Sequence, residues 1–182
     1  MVGFALFGAG VIGTIHARNI ALHPEYQLIH VVDSMPDKAK KLTEMHGGTP
    51  GMEIDQALED ERVDVVIIGS STSAHEAQVL ACAKAGKAFL CEKPISDSLE
   101  GALHCIKAVE EAGIATAMGF NRRLYYDYQS VFDRVRTGQI GKVEMIHVVS
   151  RTNKAPIPET IPFSGGMIRE KGTHFFDMAS WI

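Results

Sequence analysis

Glu170, His174 and Asp177 place a carboxylate, an imidazole and a second carboxylate in one short stretch, GGMIREKGTHFFDMASWI (165–182). Spacings of four and three put side chains on one face of a helix. There a carboxylate can hold the tautomer of an imidazole, and the imidazole can take a proton near neutral pH. Lys93 is a further chemical group, standing in Glu92-Lys93-Pro94 at the end of an apolar run. An ammonium at that place can donate to a substrate oxygen and stabilise a developing oxyanion. Pro94 fixes the turn behind it, a cis bond being one way to do so. A histidine at a helix start is, on its own, more often a packed residue than a base. The weight therefore falls on what surrounds these groups.

The surroundings are informative. Gly8-Ala9-Gly10-Val11-Ile12-Gly13 follows a strand-like run and opens a helical one. In that setting Gly8 permits a tight turn, Gly10 lets backbone approach a pyrophosphate, and Gly13 lets helix and strand pack closely. The helix N-terminus, with Val11 and Ile12, then faces the negative charge. Asp33 ends the second strand, twenty residues after Gly13, where a carboxylate can bind both hydroxyls of an adenosine ribose. Asp33 would repel a 2′-phosphate, and Ser34-Met35 bring no arginine to compensate, so NAD is expected rather than NADP. The competing reading is a glycine-rich turn beside a surface aspartate.

These groups need a frame. GFALFG (3–8), YQLIHVVD (26–33), VDVVIIGS (63–70), KAFLCEK (87–93) and IATAMGF (114–120) read as strands. Helical patterns lie between them, over 12–22, 36–46, 53–60, 74–85 and 98–112. Strands this apolar, alternating with helices, imply a parallel sheet covered on both faces: an α/β, doubly wound Rossmann domain over residues 1–120. Ligands of such sheets sit outside the carboxyl ends of the strands. That places Ser71, Thr72, His75 and Glu92 among the expected cofactor contacts, with Ser73 read as the N-cap of a helix from Ala74. His16 belongs to the first helix and is expected to pack under the cofactor loop.

Beyond Phe120 the pattern changes. NRRLYYDYQSVFDRVRTG reads as one helix closed by Gly138, with Tyr125, Tyr126 and Tyr128 as packing residues. KVEMIHVVSRT (142–152) reads as a longer strand, followed by a proline-containing loop and the closing helical segment. Residues 121–182 thus look like the start of an α+β substrate domain, incomplete because one strand makes no stable sheet. Arg122 and Arg123, at a helix start, are expected to pair with nearby acids.

Of the 182 residues, 46% are hydrophobic and 22% charged, and the net charge is −4 with no basic run. Neither nucleic acid nor an acidic membrane is an expected partner. The three cysteines, Cys82, Cys91 and Cys105, form no CxxC pair and sit in apolar surroundings, as buried thiols of a reducing cytoplasm do. VGFALFGAG lacks a basic n-region and its apolar run is cut by glycine, so a signal peptide is not expected. No cluster has metal-ligand spacing, and no metal is expected.

GAGVIGTIHA, the aspartate after strand two, STSAHEAQVLACAKAGKAFLCEKPIS, GFNRR and the closing GGM…H…D together resemble the Gfo/Idh/MocA oxidoreductases, their inositol-oxidising branch above all. The resemblance runs over essentially the whole chain. It implies an NAD(P)-dependent dehydrogenase acting on the secondary alcohol of a sugar or polyol. Similar enzymes carry Asp-x-x-x-His in the closing segment, the histidine serving as general base. His174 matches that histidine, and Glu170 stands at the aspartate position, its carboxylate about 1 Å or more further out, a displacement large enough to matter for catalysis. The implied catalytic set is Lys93, His174 and Glu170. Thr152 and Asn153 both fall where similar enzymes place a substrate-contacting residue; Asn153 joins Lys93 and Asp177 in the substrate set. Family members usually continue for another domain's length, with a large sheet that completes the pocket and forms a homo-oligomer, so this chain reads as the N-terminal portion. A non-catalytic, dinucleotide-binding regulatory or scaffold protein of the same fold is the alternative.

Overall fold

The computed structural model describes residues 1–151, 166 and 168–182, with Glu170 described by its backbone alone. It divides into two compact units, Met1–Gly119 and Phe120–Ile182.

In the first unit β1 (Val2–Phe7), β2 (Tyr26–Val32), β3 (Thr49–Gly51), β4 (Val65–Ile68), β5 (Ala88–Cys91) and β6 (Thr116–Met118) form one sheet. Their order is β3-β2-β1-β4-β5-β6, and every pairing is parallel. Crossovers are made by α1 (Val11–Leu22), α2 (Pro36–His46), α3 (Ile54–Glu59), α4 (Thr72–Ala85) and α5 (Leu99–Ala112). This is the doubly wound Rossmann arrangement expected from the strand and helix patterns.

Residue alternation along the strands builds two cores, one on each face. Ala5 and Phe7 of β1 join Val66 and Ile68 of β4 and Phe89 and Cys91 of β5 against α3, α4 and α5. Leu6 of β1 and Ile67 of β4 point the other way, against Ala17 and Ile20 of α1 and Ala39 and Leu42 of α2. A strand buried on both faces has no polar positions to spare, which is why these runs are continuously apolar. Leu6, Phe7 and Ile68 are completely buried, and each such side chain contributes roughly 1.5–3 kcal/mol.

The helix ends follow local chemistry. Ser98 caps α5 by accepting the Gly101 N–H at 3.0 Å, and Gly113, at φ 63°, closes the same helix in the left-handed region. The expected cap on α4 shifts, because that helix begins at Thr72 with Ser71 at the N-cap, and Ser73 lies in its first turn. β3, a Thr-Pro-Gly stretch with turn-like composition, is strand by virtue of its pairing with His30–Val32.

The second unit opens with a 3₁₀ turn, Asn121–Leu124, and α6 (Tyr126–Arg136). The single helix expected here is broken at Tyr125, whose backbone is extended. Tyr126 is 82% exposed rather than packed away, while Tyr125 and Tyr128 stack on each other at 6.2 Å. Residues 142–151 form no strand, and Met145 and Val149 are exposed. A strand is defined by its neighbour, and among the described residues this segment pairs with none. A π-helical turn, Ile168–Gly172, leads into α7 (Thr173–Trp181), whose Trp181 stacks on Phe132 of α6 at 4.2 Å. Among the described residues, no helix is long and apolar enough to cross a membrane.

Candidate functional site

The strand order reverses between β1 and β4, and the loops at their carboxyl ends open there, as dinucleotide clefts do in sheets of this order. The β1–α1 loop shows three glycines under three different constraints. Gly8 has φ +99°, and a Cβ on it would lie 2.6 Å from the backbone of Gly69 and Ser70. At Gly13 a Cβ would sit 2.0 Å from the Gly8 carbonyl oxygen, so α1 could not lie so close to the strand. Gly10 is different. Nothing among the described residues lies within 4 Å of where its Cβ would be. Its bareness serves no packing purpose, so the space it leaves suits an approaching ligand. Gly10 is the extended N-cap of α1 with no side-chain cap, and Val11 behind it is 85% exposed, so the first N–H groups of the helix are available to an anion.

Asp33 closes the neighbouring loop. Its Oδ2 accepts the Ala9 N–H at 2.7 Å, and its Oδ1 accepts the Met35 N–H at 2.8 Å. The carboxylate thus ties the end of β2 to the glycine loop, and each oxygen keeps lone-pair capacity for a ribose hydroxyl.

The β4–α4 loop carries Ser70–Ser73. Ser70 donates from Oγ to Gln78 Oε1 at 2.7 Å, and the Ser71 and Ser73 hydroxyls lie 3.2 Å apart on the exposed surface. Thr72 is half-buried. His75, expected among the cofactor contacts, is only 2% exposed. Its Nδ1 lies 2.7 Å from the Pro94 carbonyl and its Nε2 3.2 Å from the Ser70 carbonyl. It touches the loops from beneath, because its place in the first turn of α4 aims the ring into the protein.

Lys93 follows β5, half-buried, and its peptide bond to Pro94 is cis. The ladder runs on past the strand, the Glu92 N–H donating to the Ile68 carbonyl at 2.8 Å. Glu92 Oε1 meets His16 Nε2 at 2.9 Å, with both side chains under one-fifth exposed. Gly119 makes room for this carboxylate, since a Cβ there would lie 2.7 Å from Glu92 Oε2. His16, expected to pack under the cofactor loop, has a partner 76 positions away that nothing in the sequence announces.

In the second unit His174 lies in the first turn of α7, half-buried, with the Phe120 ring edge-on at 6.5 Å. Glu170 is one turn earlier, in the π-helical segment. Asp177 is bound by Arg123: Nε donates to Oδ2 at 2.9 Å and Nη2 to Oδ1, and the Asp177 side chain is 6% exposed. The paired carboxylate pushes the Arg123 pKa up. Arg122 lies over the Phe175 ring at 4.4 Å. An arginine here does pair with an acid, but with one 54 residues away rather than with a nearby one. Asn153 and Thr152 lie outside the described residues.

The model of the oxidoreductase family with an NAD-binding Rossmann fold, Gfo/Idh/MocA, matches residues 2–120. The chain is 35% identical over 181 residues to an inositol 2-dehydrogenase of Rhizobium meliloti, covering 100% of this chain and 54% of that protein. It is 34% identical over 178 residues to a myo-inositol 2-dehydrogenase of Thermotoga maritima, covering 97% and 53%. Among solved structures it is similar to a myo-inositol dehydrogenase from Corynebacterium glutamicum, with a TM-score of 0.91 and 34% identity over 100% of this chain and 54% of that one. A scyllo-inositol dehydrogenase from Lactobacillus casei, solved with NAD(H) and scyllo-inositol, matches with a TM-score of 0.73 and 26% identity over 78% and 42%. The chain spans about half the length of the curated relatives it matches.

Proposed function

The chain belongs to the Gfo/Idh/MocA oxidoreductase family, and from that premise we propose that it is the cofactor-binding part of an NAD-dependent dehydrogenase for an inositol-like secondary alcohol. The observation that carries this reading is Gly10, whose open Cβ position lies beside the uncapped start of α1 and one residue from the Ala9–Asp33 tie. Gly8, Gly10, Val11, Ile12 and Gly13 would hold the pyrophosphate, and Asp33 the ribose. Ser71, Thr72 and Glu92 flank the same end of the sheet. Bound nicotinamide supplies the hydride acceptor.

The remaining chemistry falls to side chains. Oxidising a secondary alcohol requires loss of its hydroxyl proton, and His174 is the group to take it. Lys93 donates to the substrate oxygen and stabilises the negative charge that grows there. Glu170, at the position of the family's aspartate, is assigned with His174 as the carboxylate that would set the imidazole's tautomer. Asn153 is carried as a substrate contact. Asp177, buried against Arg123, is better suited to fixing α7 than to meeting a substrate hydroxyl. The negative charge of Asp33 favours NAD over NADP. Residues 121–182 would open the domain that completes the pocket and supports homo-oligomers, and the three buried thiols fit a reducing cytoplasm. The non-catalytic alternative gains no supporting observation.

Calorimetric titration of the chain with NAD⁺ and NADP⁺ tests the cofactor half of this reading. The catalytic half is tested by NADH formation with myo- and scyllo-inositol.

A further inference from the structure

We propose that His16 and His75 act as a two-sided clamp that positions Lys93. The proposal rests on the reading that Lys93 meets the substrate oxygen, and it concerns two histidines that touch neither substrate nor cofactor in that reading.

The two histidines come from opposite faces of the sheet. α1 packs with α2 over Leu6, Val31 and Ile67, whereas α4 packs with α3 and α5 over Phe7, Val66 and Ile68. Side chains from both layers can meet one loop only where the strands end. The Glu92-Lys93-Pro94 turn is such a place, just past β5. From α1, His16 Nε2–H donates to Glu92 Oε1 at 2.9 Å. From α4, the buried His75 ring faces the Pro94 carbonyl at 2.7 Å. Each residue flanking Lys93 is therefore held, one by its side chain and the other by its backbone.

The physical consequence is control of the lysine's direction. With the Glu92 carboxylate held toward α1 and the Pro94 carbonyl held toward α4, the backbone on both sides of Lys93 is fixed, and with it the direction from which the lysine side chain leaves the turn. The space left by Gly119 keeps that carboxylate from being displaced by β6. On the other flank, His75 also reaches the Ser70 carbonyl at 3.2 Å, linking the turn to the loop that follows β4. An apolar residue in place of His75 would leave the part-buried Pro94 carbonyl without its 2.7 Å partner, a loss that the turn would relieve by moving.

The test uses the rate at which Lys93 is acetylated by a limiting acylating reagent, read by mass spectrometry against the exposed Lys38 and Lys107 in the same chain. His75→Ala and His16→Ala should each raise the Lys93 rate at least threefold and leave the reference lysines unchanged. His75→Asn, whose amide sits near the Nδ1 position, and His16→Gln, whose amide sits near Nε2, should restore the original rate. A Lys93 rate unmoved in folded His75→Ala and His16→Ala, or moved equally by the amide variants, overturns the clamp. Should His75→Ala not fold, His75→Gln replaces it, since its amide cannot serve the Nδ1 contact. NAD⁺ titration of the unsubstituted chain, run beside it, reports separately on the cofactor reading: absence of binding sinks that reading whatever Lys93 does.

Discussion

Asp33 Oδ2 accepts the backbone N–H of Ala9 at 2.7 Å, so the carboxylate expected to read the ribose also shapes the glycine loop. The two roles separate by substitution. Asp33→Ala removes the charge and also the loop's partner, and should weaken NAD⁺ and NADP⁺ binding together, by roughly tenfold for NAD⁺, about 1.4 kcal/mol. Asp33→Asn keeps an oxygen for Ala9 and drops the charge that repels a 2′-phosphate. It should narrow the preference with less loss of NAD⁺ affinity. Calorimetry on both variants decides the matter. Equal affinity of the unsubstituted chain for the two cofactors would sink the charge argument.

The glycines offer a sharper contrast, between stability and binding. Gly13→Ala forces a Cβ to within 2.0 Å of the Gly8 carbonyl oxygen. It should destabilise the fold by roughly 1–3 kcal/mol, the usual scale of overpacking. Gly10→Ala meets no described atom within 4 Å and keeps an ordinary extended backbone, φ −77°. Its melting temperature should barely move, while NAD⁺ affinity falls at least about tenfold. A Gly10→Ala protein that binds NAD⁺ normally would remove the observation on which the cofactor site rests.

What could be read from the sequence was whatever is local or periodic. The strands β1, β2, β4 and β5 announce themselves because both faces are buried, and the glycine loop because each glycine answers a backbone need at a fixed spacing. Pairings were not legible. Nothing in the sequence joins His16 to Glu92, Arg123 to Asp177 or Asp33 to Ala9, since each contact is made by the fold across 24 to 76 positions. The strand expected at 142–152 went astray for a related reason: its β-branched residues fit a strand, but a strand exists only with a neighbour. His75 was misplaced because helix phase was unknown. With α4 starting at Thr72, its ring turns inward.

The cysteines carry a pH signature. Burial pushes the Cys82 and Cys91 thiols from an ordinary 9.0 up to about 12. In the folded chain all three cysteines, including the buried Cys105, should resist a thiol reagent at pH 8 and react after unfolding. The sign of the linkage follows. Below pH 9 both states hold these protons and the thiols do not affect stability through titration. Between about 9 and 12 the unfolded chain releases protons that the folded chain keeps, so stability falls as pH rises. Rapid modification of the native protein at pH 8 would contradict the burial.

The catalytic assignment stands or falls on three substitutions, made in a form extended to the relatives' length and assayed with myo-inositol and NAD⁺. Lys93→Ala and His174→Ala should each lower kcat by about 10²-fold or more, the scale of losing a positioned acid or base. NAD⁺ affinity should hold, because neither side chain belongs to the glycine loop or to Asp33. His174 lies in the first turn of α7, half-buried beside Phe120, and α7 is fixed by the Arg123–Asp177 pair. His174→Ala should therefore leave the melting temperature nearly unchanged, whereas Asp177→Ala should lower it. Glu170→Asp is the decisive member of the set. If Glu170 is a longer version of the family's aspartate, the shorter carboxylate restores the usual geometry and activity survives or improves. If Glu170→Asp abolishes turnover while Lys93→Ala and His174→Ala behave as expected, the site is built around the longer side chain and Glu170 is no stand-in for the family's aspartate.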